Sequence, residues 1–409
     1  MRQTTLHRRL LAGDQITGTF SPADSELETP GVLSWSAERG ADLELADRSD
    51  PWPSDFGDIF TVHGQPHDGE ALTLLQAQVR RTTDLMRVSH VASGVVALGQ
   101  HVLPDDRWSH ARFWPGRLHE WMPETGLSID SDEDLRGTTL RWRAPEHRTV
   151  TLPDGQVDFV PSASYAWSYS PSWSIETSMS FVAEPTEPLT IHEFRHRFRN
   201  PLLAFVIFAT DRPDELAHEV YADRADRRSI TILRPEHVSL ATDWRATTGH
   251  FLFGSGDLTD VTASLESWFA LWRKTSRSLA LLCETIRLGR IYSVPRFLTL
   301  YTAAESYWKN TKTPRARWSL RALADRGGVA ARLTGATPEA LALMGAARNY
   351  HAHLDVGNRF SAEEISDQTF QSTRRLHALL QACLMREIGL DTPEIERLLA
   401  EHYRAWPVP

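Results

Sequence analysis

Cysteine is almost missing from this chain: Cys283 and Cys383 are the only two in 409 residues. That excludes a disulfide scaffold and any Cys-rich metal site. Both thiols sit in apolar helical patterns and read as buried and reduced, the state of a cytoplasmic protein. Long apolar runs are missing too. The longest, Leu202–Ala209, holds eight residues, against the ~20 a bilayer-spanning helix needs, so no membrane partner is expected. The opening stretch 1–14 is basic but lacks the apolar centre of a secretory signal, and none is expected. There is no Walker-type Gly-x-x-x-x-Gly-Lys, no Gly-x-Gly-x-x-Gly after a strand and no Gly-x-Ser-x-Gly elbow. What is present, 41% hydrophobic and 24% charged residues, is the balance of a globular chain. At ~100–200 residues per domain, two or three domains are expected.

The net charge of -9 is unevenly spread. Residues 257–409 carry 20 basic and 16 acidic side chains, a balance of +4, which leaves -13 for residues 1–256. A nucleic-acid-facing surface is therefore expected in the C-terminal part.

The texture of the chain changes at the same place. Before residue 256 it reads as strands and turns. Trp173, Ile175, Thr177, Met179 and Phe181 alternate with polar residues, as in a half-buried antiparallel strand. Thr149–Val160 reads as a hairpin turning on Pro153, Asp154 and Gly155. Further strands are expected at Val88–Ala97, Thr138–Trp142, Ser229–Leu233 and His250–Phe253. One helix interrupts them, capped by Thr190 with Glu193 at its third position, and runs to about Ala209. After Gly256 a 3.6-residue period takes over. It predicts helices over about 260–288, 293–309, 318–324, 338–353, 361–388 and 392–403, with Thr337, Pro338, Ser361, Glu364 and Gly389 as boundary signals. The expected fold class is α+β: a β-rich, sandwich- or barrel-like domain over 1–256, then an all-α bundle over 257–409.

The chemistry concentrates in Arg-Asn-Tyr-His-Ala-His, Arg348–His353, at the end of the Thr337-capped helix. Cleaving RNA through its own 2′-hydroxyl needs a base for that proton, an acid for the 5′-oxygen and positive charge beside the non-bridging oxygens. Histidine titrates in the right range, and arginine stays charged and forks onto phosphate. The substrate carries its own nucleophile, so the chemistry calls for no metal or other cofactor. On a regular helix Asn349 and His353 share a face, whereas Arg348 and His353 lie about 140° apart. They are expected to converge only if the helix end loosens or a second subunit contributes.

An Arg-x4-His pattern with a polar residue straight after the arginine, near a helix end in a small bundle, resembles the HEPN ribonuclease family. Here it is Arg348, Asn349 and His353. A β-rich half followed by such a bundle is similar to the ApeA-type anti-phage HEPN proteins. The resemblance implies a metal-independent endoribonuclease that dimerises through its bundle, cleaves tRNA or other single-stranded or loop RNA, and leaves 2′,3′-cyclic phosphates. It implies that His353 transfers the proton, Arg348 holds the phosphate and Asn349 orients one of them. It also implies abortive infection, with a phage-derived trigger acting at the N-terminal domain. His351, Arg315 and Arg317 are candidate substrate-binding residues, and Arg321, Arg326 and Arg332 extend a basic stretch that could track an RNA backbone.

Two rival readings come from other classes. The bundle could be a dimerising module without catalysis. His192-Glu-Phe-Arg-His196 is literally a His-Glu-x-x-His string and could bind zinc for a peptidase. Against it stand the crowding by Arg195, Arg197 and Arg199, the capping role of Glu193, and a third ligand (Glu215 or Glu219) lying beyond Pro201.

Overall fold

The structure is a computed structural model. It describes residues 5–46, 52–53, 58–67, 69–84, 87–124, 126–131, 138–167, 173–235, 251–289, 293–311, 318–354 and 359–404. After a short helix α1 (Thr5–Leu11), six strands form a closed barrel: β1 (Ile16–Pro22), β2 (Thr29–Ser36), β3 (Gly40–Leu45), β4 (Phe60–Pro66), β5 (Leu72–Asp84) and β6 (Arg87–Ser93). Their order is β5-β4-β1-β2-β3-β6, and β6 pairs back onto β5. Closure removes the free edges that an open sheet would expose. The interior is filled by Ile16, Phe20, Leu33, Leu43, Val62 and Leu74, with Leu6 and Leu10 of α1 in the same core.

β7 (Val95–Leu98) follows β6 after one glycine and is fully buried along its length. Strand side chains alternate between faces, and here the two faces meet different cores. Val96 and Leu98 enter the barrel, while Val95 and Ala97 enter a second, larger core. β5 divides in the same way at Leu74 and Leu75. This is why Val-Val-Ala-Leu is continuously apolar rather than alternating. The chain forks at Ser93: before it, β6 pairs with β3; after it, β7 pairs with β17 (Arg228–Leu233). The buried Ser93 hydroxyl accepts from Val95 N–H (3.0 Å) and lies 2.6 Å from the Leu75 carbonyl, satisfying the backbone where the ladder divides.

The open sheet continues from β7 through β17 to β16 (Leu216–Asp223), β9 (His110–Pro115), β14 (Trp173–Pro185), β13 (Gly155–Trp167) and β12 (Arg148–Leu152). β12 and β13 form the expected hairpin, with Leu152 opposite Gly155 and the glycine at φ 146. In β14 Met179 and Phe181 are buried and Ser178 is exposed, as the alternation predicts. Ser180 is buried too, because its hydroxyl donates to the Val160 carbonyl (3.1 Å) and accepts from Arg112 Nε (2.8 Å). Two small pairings stand apart: β10 (Leu127–Ser131) with β11 (Thr138–Trp142), and β8 (Arg107–Trp108) with β15 (Leu189–Thr190). One expected strand is absent: 251–253 is irregular, with Leu252 and Phe253 buried and Phe253 N–H bonded to the Ala209 carbonyl. His250 lies outside the described residues.

The helix expected after Thr190 has its capping box, Thr190 with Glu193. It runs as α3 (Ile191–Phe194), a π turn over Arg195–Arg199, and α4 (Asn200–Thr210). Every residue from Pro201 to Thr210 is buried. A helix that is apolar all round belongs between two layers, and α4 lies between the sheet and the bundle. Trp121 of α2 (Leu118–Trp121) packs edge-on against Phe205, while Trp268 stacks on Phe208 and donates its indole N–H to the Pro201 carbonyl at 2.8 Å.

Trp268 belongs to α5 (Val261–Arg287), the first of seven C-terminal helices among the described residues. The others are α6 (Val294–Thr311), α7 (Leu320–Gly327), α8 (Val329–Leu333), α9 (Pro338–His353), α10 (Ala362–Glu387) and α11 (Thr392–Arg404). The single long helix expected over 260–288 is kinked at Thr275, whose φ of -144 and ψ of 35 leave the helical region. The β-rich region followed by helices makes the fold α+β, and the larger core runs from the sheet through α4 into the bundle. Among the described residues no helix is long and apolar enough to cross a membrane. Both cysteines are free and buried.

Candidate functional site

α9 begins with the signals read from sequence. Thr337 Oγ1 accepts from Ala340 N–H (3.2 Å), Pro338 occupies the first turn, and Glu339 sits at the positive end. Only Met344 and Ala347 are fully buried. Continuing that stripe by four residues reaches His351, so His351 turns inward. Its Nε2 lies 3.1 Å from Thr369 Oγ1 on α10, and its ring meets Phe297 of α6 edge-on. The Thr369 hydroxyl donates to the Ile365 carbonyl (2.9 Å), so His351 Nε2–H is the donor in the first bond. Partial burial lowers the pKa of His351. Its sequence neighbours Arg348, Asn349 and His353 face outward.

These three do meet within one chain. Arg348 Nη1 donates to Asn349 Oδ1 at 3.1 Å and to His353 Nε2 at 3.1 Å. The expectation that Arg348 and His353 diverge on an intact helix is corrected: α9 stays helical through His353, and the long arginine side chain bridges the angular gap. A guanidinium has no lone pair to offer. His353 Nε2 must therefore be the acceptor, which places the proton of the neutral ring on Nδ1. Asn349 and His353 are exposed and Arg348 is half-buried, so the cluster is open to a ligand. The helix ends at Leu354, a left-handed residue (φ 58) whose N–H returns to the Tyr350 carbonyl and whose side chain is 80% exposed.

The sequence did not single out Tyr301 and Trp318, which neighbour this cluster. Their rings meet edge-on at 5.8 Å. Burial raises the pKa of the Tyr301 phenol, and a bond from Trp318 and the charge of Arg348 act against that rise. The available signal was the spacing of Phe297 and Tyr301, four residues apart on α6. Tyr301 and Trp318 line a surface groove that also takes in Arg321 of α7 and Leu341 of α9.

Other candidates are placed elsewhere. Arg315 and Arg317 lie outside the described residues. Arg326 is bound to Glu387 (2.5 Å) and Arg332 to Glu396 (3.3 Å), so both are committed within the bundle. Glu305 on α6 pairs with Lys309 at 2.7 Å.

The His-Glu-x-x-His string does not fit a metal. Glu193 accepts from Thr190 N–H (2.9 Å) and Oγ1–H (3.1 Å), and the buried Glu219 is held between Arg199 (3.0 Å) and Arg234 (2.5 Å). Those cations outweigh the cost of burial and keep the Glu219 pKa low. Among the described residues no three His, Cys, Asp or Glu side chains are grouped to hold an ion.

Fold and site together define a class: an α+β protein in which a β-barrel and sheet are joined through a buried helix to an α-bundle with a solvent-facing Arg–Asn–His cluster. Residues 15–215 match the family described as ApeA N-terminal domain 1. That region is similar to the family, and the match is consistent with an ApeA-type anti-phage protein. No curated protein and no solved structure matches the chain.

Proposed function

We propose that this ApeA-type chain is a metal-independent endoribonuclease of the HEPN kind that acts in anti-phage defence by cutting cellular RNA. One observation carries the reading: Arg348 Nη1 donates to His353 Nε2 at 3.1 Å on an exposed helix end, and Asn349 Oδ1 accepts from the same Arg348 nitrogen. That contact places His353 beside a cation with its ring proton on Nδ1. In the proposed step, Arg348 keeps its bond to Asn349 and releases His353 as the phosphate binds, and the freed His353 Nε2 takes the proton of the 2′-hydroxyl as the 2′-oxygen attacks the adjacent phosphorus. The P–O2′ bond forms, the P–O5′ bond breaks, and the 5′-oxygen leaves with a proton supplied by an acid. Arg348 meets the charge growing on the non-bridging oxygens through its remaining N–H groups. The products are a 2′,3′-cyclic phosphate and a 5′-hydroxyl. We assign the acid to His353 of a second copy, in a homodimer formed through the bundle. The exposed Leu354 beside each cluster offers an apolar contact for that pairing. The β-rich region over 1–256 would receive the trigger and the helices over 257–409 would cut.

The test is cleavage of total tRNA and of a single-stranded RNA by the purified protein in excess EDTA, beside Arg348→Ala and His353→Ala. The reading expects cleavage that both substitutions abolish, with cyclic-phosphate ends. Cleavage that survives both substitutions would remove this site from the chemistry. Absence of cleavage, both alone and in lysate from phage-infected cells, would favour the dimerising module without catalysis.

A further inference from the structure

A second cluster of arginines lies away from α9, in a cavity of about 560 Å³ where the ApeA-type region meets α5. Its walls come from the π turn, α4, the end of β17, Gly94 at the strand fork and the second half of α5. Five arginines line it: Arg195, Arg199, Arg234, Arg277 and Arg287. Glu219 neutralises Arg199 and Arg234 jointly, one carboxylate between two guanidiniums, and Glu284 pairs with Arg287 at 2.6 Å. Arg195 and Arg277 form no ion pair among the described residues. Arg195 Nε is buried without an acceptor. Burial and the neighbouring Arg234 and Arg199 together push its pKa down to about 10. A half-buried guanidinium crowded by two others, with an unmet donor, is an arrangement that an anion would complete.

The rest of the lining is mixed: Leu203, Ala204, Ile207 and Ala280 are apolar, His196, Asn200, Glu215 and Ser276 are polar, and Trp272 stands between this cavity and a smaller one that shares His196 and Ser276 with it. A flat aromatic side chain beside a cluster of cations suits a ligand with a planar base at one end and phosphate at the other. The volume falls within the ~300–1,000 Å³ typical of small-molecule sites. The π turn supplies two of the cations, and such turns recur at functional sites. We propose that this cavity binds a free nucleotide, with its phosphates on Arg195 and Arg277 and its base against Trp272. The ligand would touch α5 and the ApeA-type region at once, and so bind only when the two are packed as described. The proposal does not depend on the ribonuclease reading, since no α9 residue lines the cavity.

Calorimetric titration of the full chain with each of the four ribonucleoside triphosphates, with inorganic pyrophosphate and with adenosine tests it. Expected are one-to-one binding of at least one triphosphate, no binding of adenosine, and at least tenfold weakening by Arg277→Gln and by Arg195→Gln. Arg277 is exposed, so its variant retains the fold even if the other does not. Trp272→Leu is expected to weaken the triphosphate at least fivefold and to leave pyrophosphate unchanged. Absence of binding by all four triphosphates would overturn the proposal, as would binding that both arginine variants leave intact. Displacement of the triphosphate by a ten-nucleotide RNA, lost in Arg277→Gln, would give the cavity to RNA and overturn it equally.

Discussion

The Asp211 carboxylate, at the left-handed residue that ends α4 (φ 49), lies 2.9 Å from His402 Nε2 of α11, 191 positions later. The same carboxylate accepts from Gln381 Nε2 at 3.0 Å, and His377 Nε2 stands 3.4 Å away without hydrogen-bond geometry. Burial alone would raise the pKa of Asp211, but the bond to His402 and the charge of Arg296 help hold it below the usual carboxylate range. One buried side chain thus fastens the helix between the layers to α10 and α11.

Replacing Asp211 with alanine leaves that polar cluster without its acceptor. A loss of about 3–5 kcal/mol is expected for breaking a buried charged set. Urea unfolding checks it, with Asp226→Ala as an exposed reference within about 0.5 kcal/mol of the parent. Equal midpoints for the two variants would contradict this role.

Stability is expected to fall between pH 6.5 and 4. Burial lowers the pKa of both His377 and His218 to about 4, so each folds as the neutral ring. In that window the unfolded chain binds two protons that the folded chain refuses, and folding weakens as pH falls. Asp214 opposes them. Burial raises its pKa to about 6, so its contribution is present at low pH and is lost as pH rises from about 3.8 to 6. Two sites outweigh one, and the net slope follows the histidines. His377→Gln should flatten the drop in urea midpoint between pH 7 and 4.5; an unchanged drop would assign it elsewhere.

The two histidines of α9 should separate by function. His353→Gln is expected to lower RNA cleavage by ~10²–10⁴-fold, the range of general acid–base catalysis, with the melting temperature unchanged. His351→Gln removes the bond to Thr369 and should instead cost about 1 kcal/mol of stability. A His351 variant with full stability and no cleavage would reverse the assignment.

Leu354 holds a backbone conformation that costs a branched-chain residue roughly 1 kcal/mol relative to glycine. Leu354→Gly should therefore raise the melting temperature. If the apolar side chain seals the proposed dimer, the same variant should sediment more as monomer and cleave less. A more stable variant with an unaltered sedimentation profile would remove Leu354 from that interface.

The helices were legible because their ends carry chemical marks: Thr337 and Pro338 open α9, Ser361 and Glu364 open α10, and Gly389 (φ 97) follows its close. The hairpin at Pro153–Gly155 was legible for the same reason. The kink at Thr275 and the irregular course of Leu252 and Phe253 were not, since tertiary packing sets both and no local residue announces either. At the site, residue types pointed to Arg348, Asn349 and His353, but an axial projection ignores the reach of arginine and wrongly kept two of them apart. The inward turn of His351 was present in the sequence as the Met344–Ala347–His351 spacing. The arginine cavity was not legible, because its members come from five separated segments.

The fork at Ser93–Gly94 also determines how the molecule carries load. Two strands joined by the single residue Gly94 divide between the two units, β6 in the barrel and β7 in the open sheet. A tug on the barrel therefore passes through one residue into the sheet that packs on α4, with no slack tether in between. The barrel cannot swing as a pendant: any displacement it undergoes must strain the junction that also walls the arginine cavity.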